Sequence, residues 1–221
     1  MLKTFAKCTV LAVLLAGLVA CDNQDSKKPE LPKPEPKPVV TQPVAPAPPP
    51  PPAPVEPPKP VPAPGLSVSL QKGLITFELP PGFSDQTKLS GIINDNKSTI
   101  QLYLDGKARQ RTVTSEVIPP EGMKLNTSDA MLKELTQSII TELSDRYQNI
   151  KKTKEENFTV GKQKFHRLDT EQSVSGQKVI STILLTVFNK RVVTLQMLSP
   201  AKTPELHQAL VGRIIDTMQV K

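Results

Sequence analysis

Tryptophan is absent from this 221-residue chain, and tyrosine and histidine occur only twice each. The strongest platform for stacking sugars or bases is therefore missing. Phe77, Tyr147 and Phe188 fall at positions whose periodicity assigns them to buried faces. His166 stands between Lys164 and Arg167 on a presumed strand, and His207 stands early in the last helical segment. Neither belongs to an H-x-x-x-H or carboxylate-rich pattern, so no local metal site is expected and no cofactor is implied. No G-x-S-x-G, P-loop or dinucleotide fingerprint occurs, and the few glycines fall at turns, which leaves no catalytic residue to name. Cysteine is just as scarce. Cys8 and Cys21 are the only two, so residues 22–221 can form no disulfide, thiol nucleophile or cysteine-based metal centre.

Long hydrophobic runs are also missing, apart from residues 10–20, which follow the positive Lys3 and Lys7. Eleven helical residues rise only about 16 Å against a hydrocarbon core of roughly 30 Å, too short for a comfortable span. Residues 1–20 therefore read as a signal peptide. What ends the run is specific. Leu18-Val19-Ala20-Cys21 resembles the lipobox of bacterial lipoproteins, in which small residues admit the signal peptidase and an obligatory cysteine thiol takes the diacylglycerol. Cys21 is thus the expected lipidation site and mature N-terminus, with palmitate-type chains anchoring it to a membrane. Two or three acyl chains hold far better than one, at roughly 0.8 kcal/mol per buried methylene. Asp22-Asn23 resembles the signal that retains lipoproteins of enteric-type bacteria at the inner membrane. The expected location is that membrane's periplasmic side.

Proline is concentrated rather than scarce, with 18 of the 24 in residues 29–64, including the run from Pro48 through Pro52. Proline fixes φ and removes a backbone donor, so this stretch favours polyproline II over helix or sheet. Residues 21–64 read as a lipidated N-terminus and semi-rigid periplasmic tether. At about 3.1 Å per residue, the proline segment could reach on the order of 110 Å.

Residues 65–221 remain to build one globular domain. Of the whole chain's net +7, Lys3 and Lys7 lie in the signal peptide and residues 21–64 are balanced, so residues 65–221 keep 21 basic against 16 acidic residues, an excess of +5 that is too mild to argue for nucleic acid. Ile75, Phe77 and Leu79 alternate before the stop Pro80-Pro81-Gly82. Ile100, Leu102 and Leu104 do so before Asp105-Gly106, a two-residue hairpin signal. Met131, Leu135, Ile139, Leu143 and Tyr147 recur every four residues behind Ser128-Asp129, predicting an amphipathic helix. Residues 179–188 are apolar on both alternations, as in a central strand covered on both faces. A last helix opens at Thr203-Pro204-Glu205, with Leu206, Leu210, Ile214 and Met218 as its expected buried stripe. The basic cluster Lys151, Lys152, Lys154, Lys162, Lys164 and Arg167 reads first as the solvated side of an edge hairpin, whose lysines discourage strand pairing, and second as a patch for anionic lipid headgroups or an acidic partner. The expected class is α+β, an antiparallel sheet flanked by helices, and the domain is expected to be monomeric.

Two stretches carry a family resemblance. The first runs from Gly73 through Ile75-Thr76-Phe77-Glu78-Leu79-Pro80-Pro81-Gly82-Phe83 to Gln86. The second passes from Thr194-Leu195-Gln196-Met197 through Ser199-Pro200-Ala201 into a helix holding Ile215-Asp216-Thr217-Met218. Together they resemble the DcrB family of inner-membrane lipoproteins, whose fold is similar to Mog1 and PsbP. The resemblance implies a sandwich of sheet and helices and a non-enzymatic role in envelope integrity and phage susceptibility, with an envelope protein as possible partner. The alternative reading is a small-ligand binder or enzyme whose site assembles only in three dimensions.

Overall fold

The computed structural model describes residues 63–221, which form two antiparallel sheets and two helices. Strand β1 (Leu66–Leu70) passes through a 3-10 turn at Gln71–Gly73 into β2 (Ile75–Leu79). The closing strand β10 (Gln219–Val220) completes this small sheet on the other side of β2. Ile75, Phe77 and Leu79 are buried, as a period of two requires of a half-covered strand.

The main sheet comprises β3 (Ser84–Asp85), β4 (Ser98–Asp105), β5 (Gln110–Val117), β6 (Gln148–Val160), β7 (Gln163–Val174), β8 (Gln177–Phe188) and β9 (Arg191–Pro200). Their order is β3-β4-β5-β9-β8-β7-β6, antiparallel throughout. Ser175-Gly176 and Asn189-Lys190 close two-residue hairpins with positive φ at both positions, the conformation whose twist matches the flanking strands. The Asp105-Gly106 reversal differs from the two-residue expectation. Asp105 pairs with Gln110 across four intervening residues, and Arg109, not Gly106, takes the left-handed φ of 53°. The Asp105 carboxylate shapes this longer turn by accepting from the backbone N–H groups of Lys107 and Ala108 at 2.9 and 3.0 Å.

Helix α1 (Asp129–Arg146) packs over β6, β7 and β8 on one face of the main sheet. Helix α2 (Pro204–Thr217) and β2 cover the other. In β8 every residue from Ser181 to Val187 is buried. Leu184 joins the large core with Phe77, Leu195 and Ile214, whereas Ile183, Leu185 and Val187 pack under α1. The two-faced strand expected from its composition is therefore present.

The expected stripes are buried except where they begin: Leu143 of α1 and Leu210, Ile214 and Met218 of α2 are enclosed, whereas the first residue of each stripe is not. In α1 the fully enclosed apolar residue is Leu132, while Met131 is half-buried. In α2 Leu206 is 42% exposed, and the fully buried residue of that turn is His207. The cause is geometric: a strict four-residue repeat drifts by about 40° per step around a helix of 3.6 residues per turn, so it cannot hold one face along its whole length, and here the first position of each stripe leaves it.

The expected edge hairpin is formed by β6 and β7, with β6 outermost. The opposite edge is blocked by side chains. Asn94 accepts from the Ile100 N–H and donates to its carbonyl, at 2.7 and 3.0 Å, and Thr87 Oγ1 accepts from Leu102 N at 3.0 Å. Among the described residues no helix is long and apolar enough to cross a membrane.

Candidate functional site

The residues with most chemical potential are the two histidines, and each sits in a closed polar chain. The first chain surrounds His207, which α2 turns inward onto β8 and β9. Its Nε2 lies 2.9 Å from Thr182 Oγ1 and its Nδ1 lies 2.8 Å from Ser199 Oγ. Thr182 donates its hydroxyl proton to Asp169 Oδ1 at 2.8 Å, so it can only accept from His207. The ring therefore carries its proton on Nε2 and accepts from the Ser199 hydroxyl at Nδ1. Ser199 Oγ in turn accepts from Gln110 Nε2 at 3.0 Å, and the same amide reaches the Leu206 carbonyl in the first turn of α2 at 3.0 Å. Arg167 completes the chain with a fork onto Asp169, Nε to Oδ1 at 2.9 Å and Nη2 to Oδ2 at 2.8 Å.

This arrangement favours a neutral imidazole. Burial lowers the His207 pKa to about 4, with Asp169 pulling upward and Arg167 downward. A serine hydroxyl 2.8 Å from a histidine nitrogen resembles a nucleophile and its base. Access decides against that chemistry: Ser199 is 1% exposed, and His207 and Thr182 are 0% exposed, so no substrate carbonyl reaches the hydroxyl. A base whose pKa lies near 4 is also poorly matched to neutral pH. The chain fastens α2 to the sheet.

The second chain lies on the α1 face. His166 Nδ1 is 2.6 Å from Asn157 Oδ1 and Nε2 is 3.0 Å from Glu155 Oε1, both acceptor atoms. Asn157 Nδ2 donates to Asp129 Oδ1 at 3.0 Å, and Lys164 Nζ meets the same oxygen at 2.8 Å. The Lys152 hydrogen bond, aided by His166, holds the Glu155 carboxyl below its ordinary range. Asp129 is the first residue of α1, so this chain ties the start of the helix to the edge hairpin.

The basic cluster from the sequence is divided by the pleat. Lys164 and Asp129 pair on the α1 face, whereas Arg167 binds Asp169 within the buried network on the α2 side. Lys152 and Lys154 pair with Glu155 and Glu156. Among the described residues no group of three or more His, Cys, Asp or Glu could hold a metal ion. Cys21, Asp22 and Asn23, the expected lipidation and sorting residues, lie outside the described residues, as do the signal peptide and residues 29–62 of the tether. Local spacing did not identify Gln110, Thr182 or Ser199. The available signal was the pair Ser181-Thr182 inside the apolar run of β8, since a buried hydroxyl needs a partner.

No family model matches the chain, and no curated protein matches it. Solved structures do. The solution structure of cyanobacterial PsbP (CyanoP) from Synechocystis sp. PCC 6803 aligns with a TM-score of 0.51 at 12% identity, over 72% of this chain and 94% of that one. The Ran-binding protein Mog1p of Saccharomyces cerevisiae aligns at 0.49 with 18% identity, over 71% and 95%. LpqN, involved in cell envelope biogenesis of Mycobacterium tuberculosis, aligns at 0.44 with 12% identity, over 72% and 86%. The last two likenesses are too loose to argue from, and identities this low speak to fold alone. The described residues have an α+β, PsbP-like fold, an antiparallel sheet held between helices.

Proposed function

We propose that the protein is a DcrB-type lipoprotein, held on the periplasmic side of the inner membrane by acyl chains on Cys21, and that its folded part binds or supports another envelope component without catalysing a reaction. The observation that carries this reading is the lipobox Leu18-Val19-Ala20-Cys21 at the end of a short apolar run, followed by Asp22-Asn23. The closed state of the His207 chain agrees with it, because the most reactive-looking side chains are occupied in joining α2 to β8 and β9. On this reading the proline-rich segment is a spacer that lets the domain work at a distance from its anchor. In-cell crosslinking from exposed positions of the domain tests the proposal. Capture of a discrete envelope component by the wild type, reduced when Cys21→Ser frees the chain from the membrane, is the expected result. Equal capture from the unanchored chain, or a hydrolytic or transferase activity lost in Ser199→Ala, would contradict it.

A further inference from the structure

Two aliphatic side chains stand almost fully in solvent on one ordered loop. Leu89 is 82% exposed and Ile93 is 85% exposed, whereas the other exposed large hydrophobics among the described residues lie between 36% and 42%. Single exposed leucines are ordinary on protein surfaces. These two differ because the loop between β3 and β4 is built to hold them out. Leu89 N and Ser90 N both donate to the Gln86 carbonyl at 3.0 Å, and Asp95 N donates to the Ser98 carbonyl at 2.9 Å. Asn94 and Thr87 pin the loop to the edge of β4 through the bonds described above. Between the two aliphatics, a Cβ built on Gly91 would meet nothing within 4 Å.

The surrounding charge is mostly basic. Ser98 pairs with Val117, Val117 with Val192 and Val192 with Val187, so the loop shares one end of the main sheet with the β8–β9 turn. Lys88 and Lys97 flank the aliphatics on the loop, Lys190 lies in the neighbouring turn, and Arg191 Nη2 donates to the Asn96 carbonyl at 2.9 Å. Two exposed acids adjoin these bases, each accepting from loop backbone: Asp95 from the N–H groups of Lys97 and Ser98 at 2.8 and 2.6 Å, and Asp85, just before the loop, from Thr87 N at 2.8 Å. Glu116, near the same end, is buried and holds Gln71. Ile118, 42% exposed, adds apolar surface beside Lys97, whose carbonyl accepts its N–H at 2.8 Å.

We infer that this loop is an insertion device for an anionic lipid bilayer, with Leu89 and Ile93 entering the acyl boundary while Lys88, Lys97 and Lys190 meet the headgroups. Separate projecting aliphatics offer a rigid protein partner little continuous surface. A fluid interface accepts them one by one, and aliphatic side chains flanked by bases are the pattern that binds such an interface. The inference rests on the proposed function in one respect, that it gives a chemical identity to the envelope component. Its test is independent of acylation.

The chain from residue 21 with Cys21→Ser removes the anchor, and L89W supplies a reporter in a protein with no other tryptophan. On phosphatidylglycerol vesicles its emission is expected to shift to the blue and to be quenched by lipids brominated on their acyl chains, with a much smaller response on phosphatidylcholine. In the same Cys21→Ser chain, Leu89→Ser with Ile93→Ser is expected to lower partitioning onto phosphatidylglycerol vesicles by at least about a hundredfold, judged by the apolar surface two aliphatics bury. Leu206→Ser, at the start of α2, is expected to leave partitioning unchanged. Unaltered tryptophan emission with vesicles, equal sedimentation of the loop double variant, or crosslinking of the loop to a protein with no lipid response would each overturn the inference. Failure of acylation in cells would leave these readouts untouched.

Discussion

His207 and Thr182 join the last helix to the middle of the main sheet, with Nε2 standing 2.9 Å from a hydroxyl that already donates its proton to Asp169. The contact has a direction, in which the imidazole donates and the threonine accepts. A second proton, on Nδ1, would remove the acceptor to which the Ser199 hydroxyl donates and force that hydroxyl to turn its own proton away. The network therefore suits a neutral ring, and acid acts against it.

Stability is expected to depend on this residue in a defined window. The folded-state pKa of about 4 lies below the ordinary 6.5, so between those values the unfolded chain binds a proton that the folded chain refuses. The associated stability is fully present above pH 6.5 and is lost on acidification toward pH 4, to a total of about 3 kcal/mol. Urea unfolding at pH 7 and at pH 4.5 checks this. The deficit of His207→Gln relative to wild type is expected to shrink by roughly 2 kcal/mol at the lower pH. A deficit that is the same at both would show that His207 titrates normally.

Leu184→Asp is expected to unfold the domain or to destabilise it by several kcal/mol, since it places an unpaired charge at a fully buried position. Lys164→Ala loses only the exposed pair with Asp129 and is expected to cost less than about 1 kcal/mol. Denaturant midpoints of the two variants decide it, and similar losses in both would remove the central position assigned to β8.

Much of this architecture was legible because burial leaves a periodic trace. The two-faced run of β8, the alternation in β2, and the Thr203-Pro204-Glu205 opening of α2 each point to one local structure. Strands β1, β3 and β10 leave no such trace, and β6, expected only as one side of an edge hairpin, has bounds that no apolar pattern marks. In β6 the sequence from Lys151 to Asn157 is polar on both alternations, as an edge allows, and so carries no apolar signal. Each helical stripe differs from expectation at its first residue for one reason, that residues four apart slide around the helix, so Met131 and Leu206 stand off the buried face while Leu210, Ile214 and Met218 stay on it. The buried position of His207 could not be read locally. Its partners Thr182 and Ser199 come from two strands, and the burial of a polar ring depends on partners being present.

Gly82 and Gly106 form a matched test of backbone demand. Gly82 has a φ of 107°, and a Cβ there would stand 2.6 Å from Asp105 Oδ2, whereas one on Gly106 meets nothing within 4 Å. Gly82→Ala is expected to cost about 1–3 kcal/mol, with Gly106→Ala neutral or slightly stabilising. Thermal melts of the pair check the difference, and equal melting temperatures would contradict it.

Asp22→Ser is expected to redirect the protein from the inner to the outer membrane while leaving the modification of Cys21 intact. Separation of the two membranes on a density gradient reads the outcome directly. A wild type already found with the outer membrane, or a substitution without effect, would remove the sorting role from Asp22 and Asn23.

Lipid on Cys21 is the point on which the proposed function turns, and the mass of the N-terminal peptide from membrane-extracted protein measures it. The expected peptide begins at Cys21 and carries a diacylglyceryl group on the thiol, and it disappears in Cys21→Ser. A chain that retains residues 1–20, or one that begins at Cys21 with a free thiol, would contradict the anchored lipoprotein altogether.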